Sequence, residues 1–90
     1  MGNNNMTTEE VNEKFKNVKL KFTYYFKYTF SFQGTTEDGY EIQCDFGGDS
    51  DMIYRFSASD VPVNFGNVDD WSIVSVSHNK KQVYYINNFF

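Results

Sequence analysis

The chain has 90 residues, of which 40% are apolar, 22% charged and 20% aromatic, and its formal net charge is −4. This length allows one domain with a thin core, so a large enclosed active site is not expected. Leu20 and Ala58 are the single leucine and the single alanine, beside 10 phenylalanines and 7 tyrosines. Because leucine and alanine favour helices and aromatic residues favour strands, the composition excludes a mostly helical protein.

The single cysteine, Cys44, excludes an intrachain disulfide and fits a reducing compartment. Residues 1–6 form a polar tail that lacks the basic and apolar regions of a signal peptide, and we expect this tail to be disordered. No run of residues is long and apolar enough for a transmembrane helix. The sequence therefore predicts one α+β domain over residues 7–90 of a cytoplasmic protein that has no membrane partner.

A short helix is predicted over residues 8–17. Thr7 and Glu10 have the spacing of a capping box, in which each side chain satisfies a free backbone N–H of the other residue. Val11 and Phe15 are four residues apart and therefore lie on one helical face. A helix this short is unstable alone, so we expect this face to pack on the rest of the domain.

Residues 18–32 show the longest regular pattern in the chain, because every even position is apolar. Alternation with a period of two predicts one half-buried antiparallel strand. At ~3.3 Å per residue, such a strand would extend roughly 50 Å, which exceeds a compact domain of this size. We therefore expect it to bend strongly or to pair with two neighbours in succession.

Two further alternating segments, residues 40–46 and 52–58, each follow a glycine-containing turn. Together with the long strand they predict a three-strand meander, in which Phe32 would lie opposite Tyr40. A loop over residues 59–70 then leads to the last hairpin.

The C-terminal hairpin, with strands predicted at 71–77 and 82–90, is apolar on both faces. A strand pair of this kind is either covered on both sides or exposes an adhesive surface. Strict alternation assigns one face to Val74, Val76, Val83 and Tyr85 and the other to Trp71, Ile73, Tyr84 and Ile86. The predicted fold class is α+β: a short N-terminal helix followed by a curved five-stranded antiparallel sheet in meander-like order, closed as a half-barrel or sandwich.

The charges are unevenly distributed. Residues 14–36 contain five lysines and no acid, whereas residues 37–70 contain nine acids and one arginine. Acidic turns favour a basic protein partner and raise its association rate, although they are also typical of a simple solvated surface. Nucleic acid is an unfavoured partner, because phosphate contacts require concentrated lysine and arginine.

No catalytic or metal-binding set is recognisable. His78 is the single histidine and falls in a predicted turn, and Cys44 falls on the inward side of a strand, so neither a Cys–His pair nor a zinc site is expected. Phosphate-binding glycine loops and the G-x-S-x-G motif are also missing from the sequence. We therefore predict that the protein is not an enzyme and uses no cofactor or metal.

A calcium-binding module remains an alternative, because several aspartates flank the predicted turns. The spacing of an EF-hand is absent. Tyr40 with residues 46–48, and residues 69–72 at the start of a strand, resemble the Greek keys of βγ-crystallins. Ile73 and Val74 stand where that family has two serines, so no family is assigned.

By elimination, the sequence predicts a small non-enzymatic inhibitor or immunity-type antagonist, of the kind that phages encode, which covers the surface of a basic protein. The alternatives are a structural protein that self-associates, with a homodimer as its simplest form, and a calcium- or small-ligand-binding module. The predicted partner-binding residues are those of the acidic turns and of the second hairpin face: Asp49, Asp51, Asp69, Asp70, Trp71, Ile73, Tyr84 and Ile86.

Overall fold

The computed structural model describes residues 5–48 and 62–88, which form one helix and an open antiparallel sheet. The elements are α1 (Thr8–Phe15), β1 (Lys19–Phe26), β2 (Thr29–Thr35), β3 (Tyr40–Gly47), β4 (Val63–Asn64), a 3₁₀ turn (Val68–Asp70), β5 (Ile73–His78) and β6 (Lys81–Asn87). The strand order is β4-β1-β2-β3-β5-β6. The predicted α+β class is confirmed; the described residues contain six strands, where five were predicted for the chain, and their sheet does not close into a barrel.

The helix forms as the local sequence predicts. The Thr7 hydroxyl accepts a hydrogen bond from the backbone of Glu10 at 3.1 Å, and the Glu10 carboxylate accepts one from the backbone of Thr7 at 2.8 Å. Val11 and Phe15 are fully buried. The helix ends two residues earlier than predicted, because the backbone of Val18 bonds back to Phe15 and turns the chain into β1.

The single long strand predicted over residues 18–32 is wrong, because the segment folds as the hairpin β1–β2. Its turn consists of Lys27 and Tyr28, with φ angles of 49° and 64°. Two successive left-handed residues are typical of the type I′ turn, whose twist matches that of the flanking strands. The excessive length of the predicted strand is thereby resolved.

A bulge in β1 changes which side chains face the core. The pairing with β2 shifts between Phe22 and Tyr24, which leaves Thr23 unpaired, and the Thr23 hydroxyl donates to a β2 carbonyl at 3.0 Å. One extra residue inverts the alternation beyond it. As a result Tyr25 lies on the inner face, and Tyr24 and Phe26 lie on the outer face.

The predicted pairing of Phe32 with Tyr40 is also wrong. Phe32 pairs with Cys44, because β2 continues to Thr35 and the turn occupies only residues 36–39. The other neighbour of β3 is β5. The strand predicted at residues 52–58 lies outside the described residues.

The C-terminal hairpin contains a second bulge. Val76 pairs with Tyr84, whereas Ser77 pairs with Gln82, so Val83 is the extra residue. The shift places Tyr84 and Ile86 on the same face as Val76. The predicted division of the hairpin into two apolar faces is therefore wrong.

The core lies between the inner face of the sheet, the helix and the segment 62–71. Its buried members come from nearly every element: Val11, Phe15, Leu20, Phe30, Phe32, Ile42, Cys44, Phe65, Val68, Trp71, Val74, Val76 and Tyr84. In the part of the chain that the structure describes, no helix has the length and apolar character needed to cross a bilayer.

Candidate partner-binding surface

The most exposed apolar surface of the described residues is the end of the β1–β2 hairpin, here called the aromatic tip (Tyr24, Phe26, Lys27 and Tyr28). The three rings are 54%, 58% and 67% exposed, respectively. The bulge at Thr23 places Tyr24 and Phe26 on the outer face, and Tyr28 lies in the turn itself. Neighbouring exposed rings are typical of protein interfaces, where tyrosine and phenylalanine are enriched.

A backbone hydrogen bond and ring contacts join the aromatic tip to the sheet. The carbonyl of Tyr28 accepts a hydrogen bond from the backbone of Gly48 at 2.9 Å. On the inner face, the ring of Tyr25 lies 6.4 Å from that of Tyr28 and 4.7 Å from that of Phe30. These contacts fix the turn and the ring of Tyr28 before any partner arrives, which lowers the entropy cost of binding.

The turn of the tip has an unfavourable composition. A left-handed conformation costs roughly 1–2 kcal/mol for a residue with a Cβ, and both Lys27 and Tyr28 adopt it. In the other hairpin, the same geometry begins with Asn79, a residue that tolerates it better. The turn therefore stores strain while it displays the 67% exposed ring of Tyr28.

Two of the four aspartates predicted to bind a partner lie within the described residues. Asp69 and Asp70 lie exposed on the 3₁₀ turn before β5. The backbone of Asp69 donates to the side chain of Asn67 at 2.8 Å, which fixes the turn. Asp49 and Asp51 lie outside the described residues.

The four predicted hairpin residues do not form one surface. Trp71 is 5% exposed and its indole donates to the carbonyl of Phe65 at 2.8 Å. Tyr84 is 1% exposed, and its hydroxyl is hydrogen-bonded to that of Thr8 at 2.7 Å. Ile73 and Ile86 are half-buried on opposite faces of the sheet. Trp71 and Tyr84 are thus core residues. The bulge in β6 turns Tyr84 inward, whereas Trp71 lies before β5 and so outside the alternation of that strand.

Trp71 nevertheless borders a cavity of about 250 Å³. The described residues that line it are Phe32, Phe46, Val63, Asn64, Phe65, Asp70 and Trp71. A row of ring contacts leads from this cavity towards the tip. Its ring centroids are 5.7 Å apart from Trp71 to Phe46, 5.4 Å from Phe46 to Phe30 and 4.7 Å from Phe30 to Tyr25.

The two groups considered for nucleophilic chemistry are far apart. Cys44 is buried, and burial, together with the charge of Asp45, raises the pKa of its thiol far above the usual range. His78 pairs with Tyr40, four residues from Cys44, which is about 13 Å along β3. Among the described residues, no three His, Cys, Asp or Glu side chains come together as a metal site.

An electrostatic contact joins the helix to the β2–β3 turn. The hydroxyl of Thr36 donates to Asp38, and the ammonium of Lys14 lies 2.9 Å from the same carboxylate. These two hydrogen bonds, that of Thr36 first, lower the pKa of Asp38 to about 2. The imidazole of His78 stacks on Tyr40 with 4.3 Å between the ring centroids and bonds the carbonyl of Asp38 at 3.0 Å. This cluster is a structural contact, since its groups are occupied with one another.

Sequence reasoning missed the aromatic tip, because it assigned its three rings to the inner face of one long strand. The length of that predicted strand was the available signal, since it required a break within residues 18–32. Neither glycine nor asparagine marks the turn, so its position could not be read from residue type.

A scan against protein-family models found no match to the chain, and searches of the curated proteins and of the solved structures found none either. The resemblance to βγ-crystallins therefore receives no support from a family match. The surface geometry and its chemistry are the basis of the functional proposal below.

Proposed function

We propose that this protein is a small non-enzymatic intracellular antagonist that binds another protein and inhibits it by covering its surface. The observation that carries the proposal is the aromatic tip, where three large rings within five residues are each more than half exposed. Exposed apolar patches of this kind mark interaction sites. The origin proposed for such an antagonist is a phage genome.

The size of the tip suits the centre of an interface. A large aromatic side chain buries ~150–250 Å² when fully covered. Covering the exposed half of three such rings would bury about 300 Å², and a standard interface buries about 800 Å² per partner. The tip would then supply over a third of the contact, in the region where a few aromatic residues dominate the binding energy.

The exposed acids support the proposal of a basic partner. Asp69 and Asp70 lie at the same end of the sheet as the tip. The 3₁₀ turn leads into β5, whose first residue Ile73 pairs with Asp45, and two residues further along β3 Gly47 pairs with Thr29 beside the tip. Charges at the edge of an interface mainly raise the association rate. The predicted contributions of Asp49 and Asp51 remain part of the proposal.

Capture from a lysate of the native host, quantified by mass spectrometry, tests the proposal. The tip variant carries Tyr24→Ser, Phe26→Ser and Tyr28→Ser, and the matched control carries Tyr85→Ser, which removes a 42% exposed ring from the outer face of β6. We expect the wild type and the control to retain one dominant protein that the tip variant loses. The captured protein, once purified, should lose its activity when the wild type is added.

Two results would overturn the proposal. Equal capture by the wild type and the tip variant would show that the tip is not the interface. A wild type that retains no other protein but sediments as a dimer would show that self-association, the competing function, is correct. Circular dichroism and melting of all variants provide the control for folding.

A further inference from the structure

We infer that the cavity beside Asp70 binds an arginine side chain of the protein partner. This inference rests on the proposed function, and it specifies the chemistry of the contact. It goes beyond the aromatic tip, because other described residues line the cavity, and the charged residue among them is Asp70, whereas the tip carries Lys27.

The walls of the cavity suit the flat apolar faces of a guanidinium group. Aromatic rings and the apolar side chain of Val63 form most of the described lining, with the indole of Trp71 among them. The hydrogen bond from this indole to the carbonyl of Phe65 fixes its orientation. Tryptophan is the strongest aromatic partner of a cation, and arginine stacks on it more readily than lysine does.

Asp70 supplies the counter-charge. It is the single charged residue among the described residues that line the cavity. Its carboxylate makes no ion pair with any residue in the described ranges, where lysines pair with Asp38 and Glu13 instead. A carboxylate accepts two parallel hydrogen bonds from a guanidinium, which lysine cannot provide.

The backbone around the carboxylate leaves room for it. Gly66 has a φ of +75°, and a Cβ at this position would lie 2.9 Å from Asp70 Oδ2. A side chain here would therefore push the carboxylate away from its present place at the cavity.

The segment that carries Asp70 is fixed before binding. The backbone of Val68 donates to the Asn12 side chain on the helix at 2.8 Å. The backbones of Asp70 and Trp71 donate to Asn67 and Val68 at 3.0 and 3.2 Å. A carboxylate, an indole and an apolar wall are thus held together without a partner, which lowers the cost of binding.

The test is an NMR titration of the ¹⁵N-labelled protein with N-acetyl-arginine methylamide, a capped arginine whose only charge is its side chain. Trp71 is the single tryptophan, so its indole N–H gives one unambiguous signal at the cavity. N-acetyl-norleucine methylamide is the matched probe, because it keeps the apolar chain and lacks the charge. We expect a saturable shift of the indole signal with the arginine probe and a much weaker one with the norleucine probe.

Substitutions at two adjacent aspartates test which carboxylate binds the probe. Asp69→Asn and Asp70→Asn remove the same charge from adjacent exposed positions, but only Asp70 lines the cavity. We expect Asp70→Asn to weaken the affinity for the arginine probe about 10-fold, equivalent to about 1.4 kcal/mol. Asp69→Asn should change this affinity less than about 2-fold. No saturable shift, equal binding of norleucine, or equal losses in both variants would each overturn the inference.

The result is separable from that of the capture experiment. The tip variant keeps every described residue of the cavity, so it should bind the arginine probe like the wild type. A tip variant that loses the captured protein but still binds the arginine probe is the result that both proposals expect. An intact tip interface without arginine binding would overturn the cavity alone. Arginine binding without any captured protein would overturn the proposed function and leave only the affinity of the cavity for an arginine side chain.

Discussion

Replacement of Tyr84 by alanine tests the bulge that decides which face of β6 is buried. Tyr84 is 1% exposed and its neighbour Tyr85 is 42% exposed. Removal of a buried aromatic ring costs about 3–5 kcal/mol, and the lost hydrogen bond to Thr8 adds about 0.5–1.5 kcal/mol. Tyr85→Ala should cost only about 1 kcal/mol, as for an aromatic residue on an exposed strand face.

Urea unfolding followed by circular dichroism measures both variants. The two free energies of unfolding should differ by at least about 2 kcal/mol, and the melting temperatures by at least about 8 °C for a domain of this size. Tyr84→Phe removes only the hydroxyl and remains measurable if Tyr84→Ala fails to fold. Coupling of Tyr84→Phe to Thr8→Ala in a double-mutant cycle should reveal the hydrogen bond. A larger loss for Tyr85→Ala would refute the register, because strict alternation makes Tyr85 the inward residue.

Three further predictions concern other parts of the fold. Gly34→Ala should destabilise the protein by about 1–3 kcal/mol in urea unfolding, because its Cβ would lie 2.6 Å from Leu20 Cδ2, whereas Gly47→Ala meets nothing closer than 3.7 Å and should cost less than about 1 kcal/mol. The low pKa of Asp38 gives stability that is present above its unfolded value of 3.8 and lost as the pH falls through about 2. In urea unfolding, wild type and Asp38→Asn should therefore differ at pH 7, and this difference should shrink steadily as the pH is lowered from 4 towards 2. The thiol of Cys44 should react with a thiol reagent at pH 8 only after urea unfolding, because burial raises its pKa; a fast native reaction would contradict its burial.

Local sequence was sufficient for the helix and for the fold class. The capping box of Thr7 and Glu10 and the spacing of Val11 and Phe15 act within one or two turns, so the correct helix followed without knowledge of its neighbours. The scarcity of leucine and alanine and the alternating segments were sufficient for an antiparallel sheet. Burial of Cys44 also followed from alternation along its strand.

The aromatic tip and the cavity were decided by tertiary structure. Alternation assigned Phe22, Phe30 and Phe32 to the inner face correctly. It assigned Tyr24 and Phe26 wrongly, because the bulge at Thr23 depends on hydrogen bonds to a partner strand that the local pattern does not contain. The cavity unites Asp70 and Trp71 with rings from β2 and β3 that are at least 24 residues away in sequence. Side-chain periodicity is a local property of one strand, whereas the register that turns it inward or outward is set by the strand beside it. This is why the sequence predicted the helix and the fold class, and the tertiary structure determined the hairpin turn, the pairing and the surface.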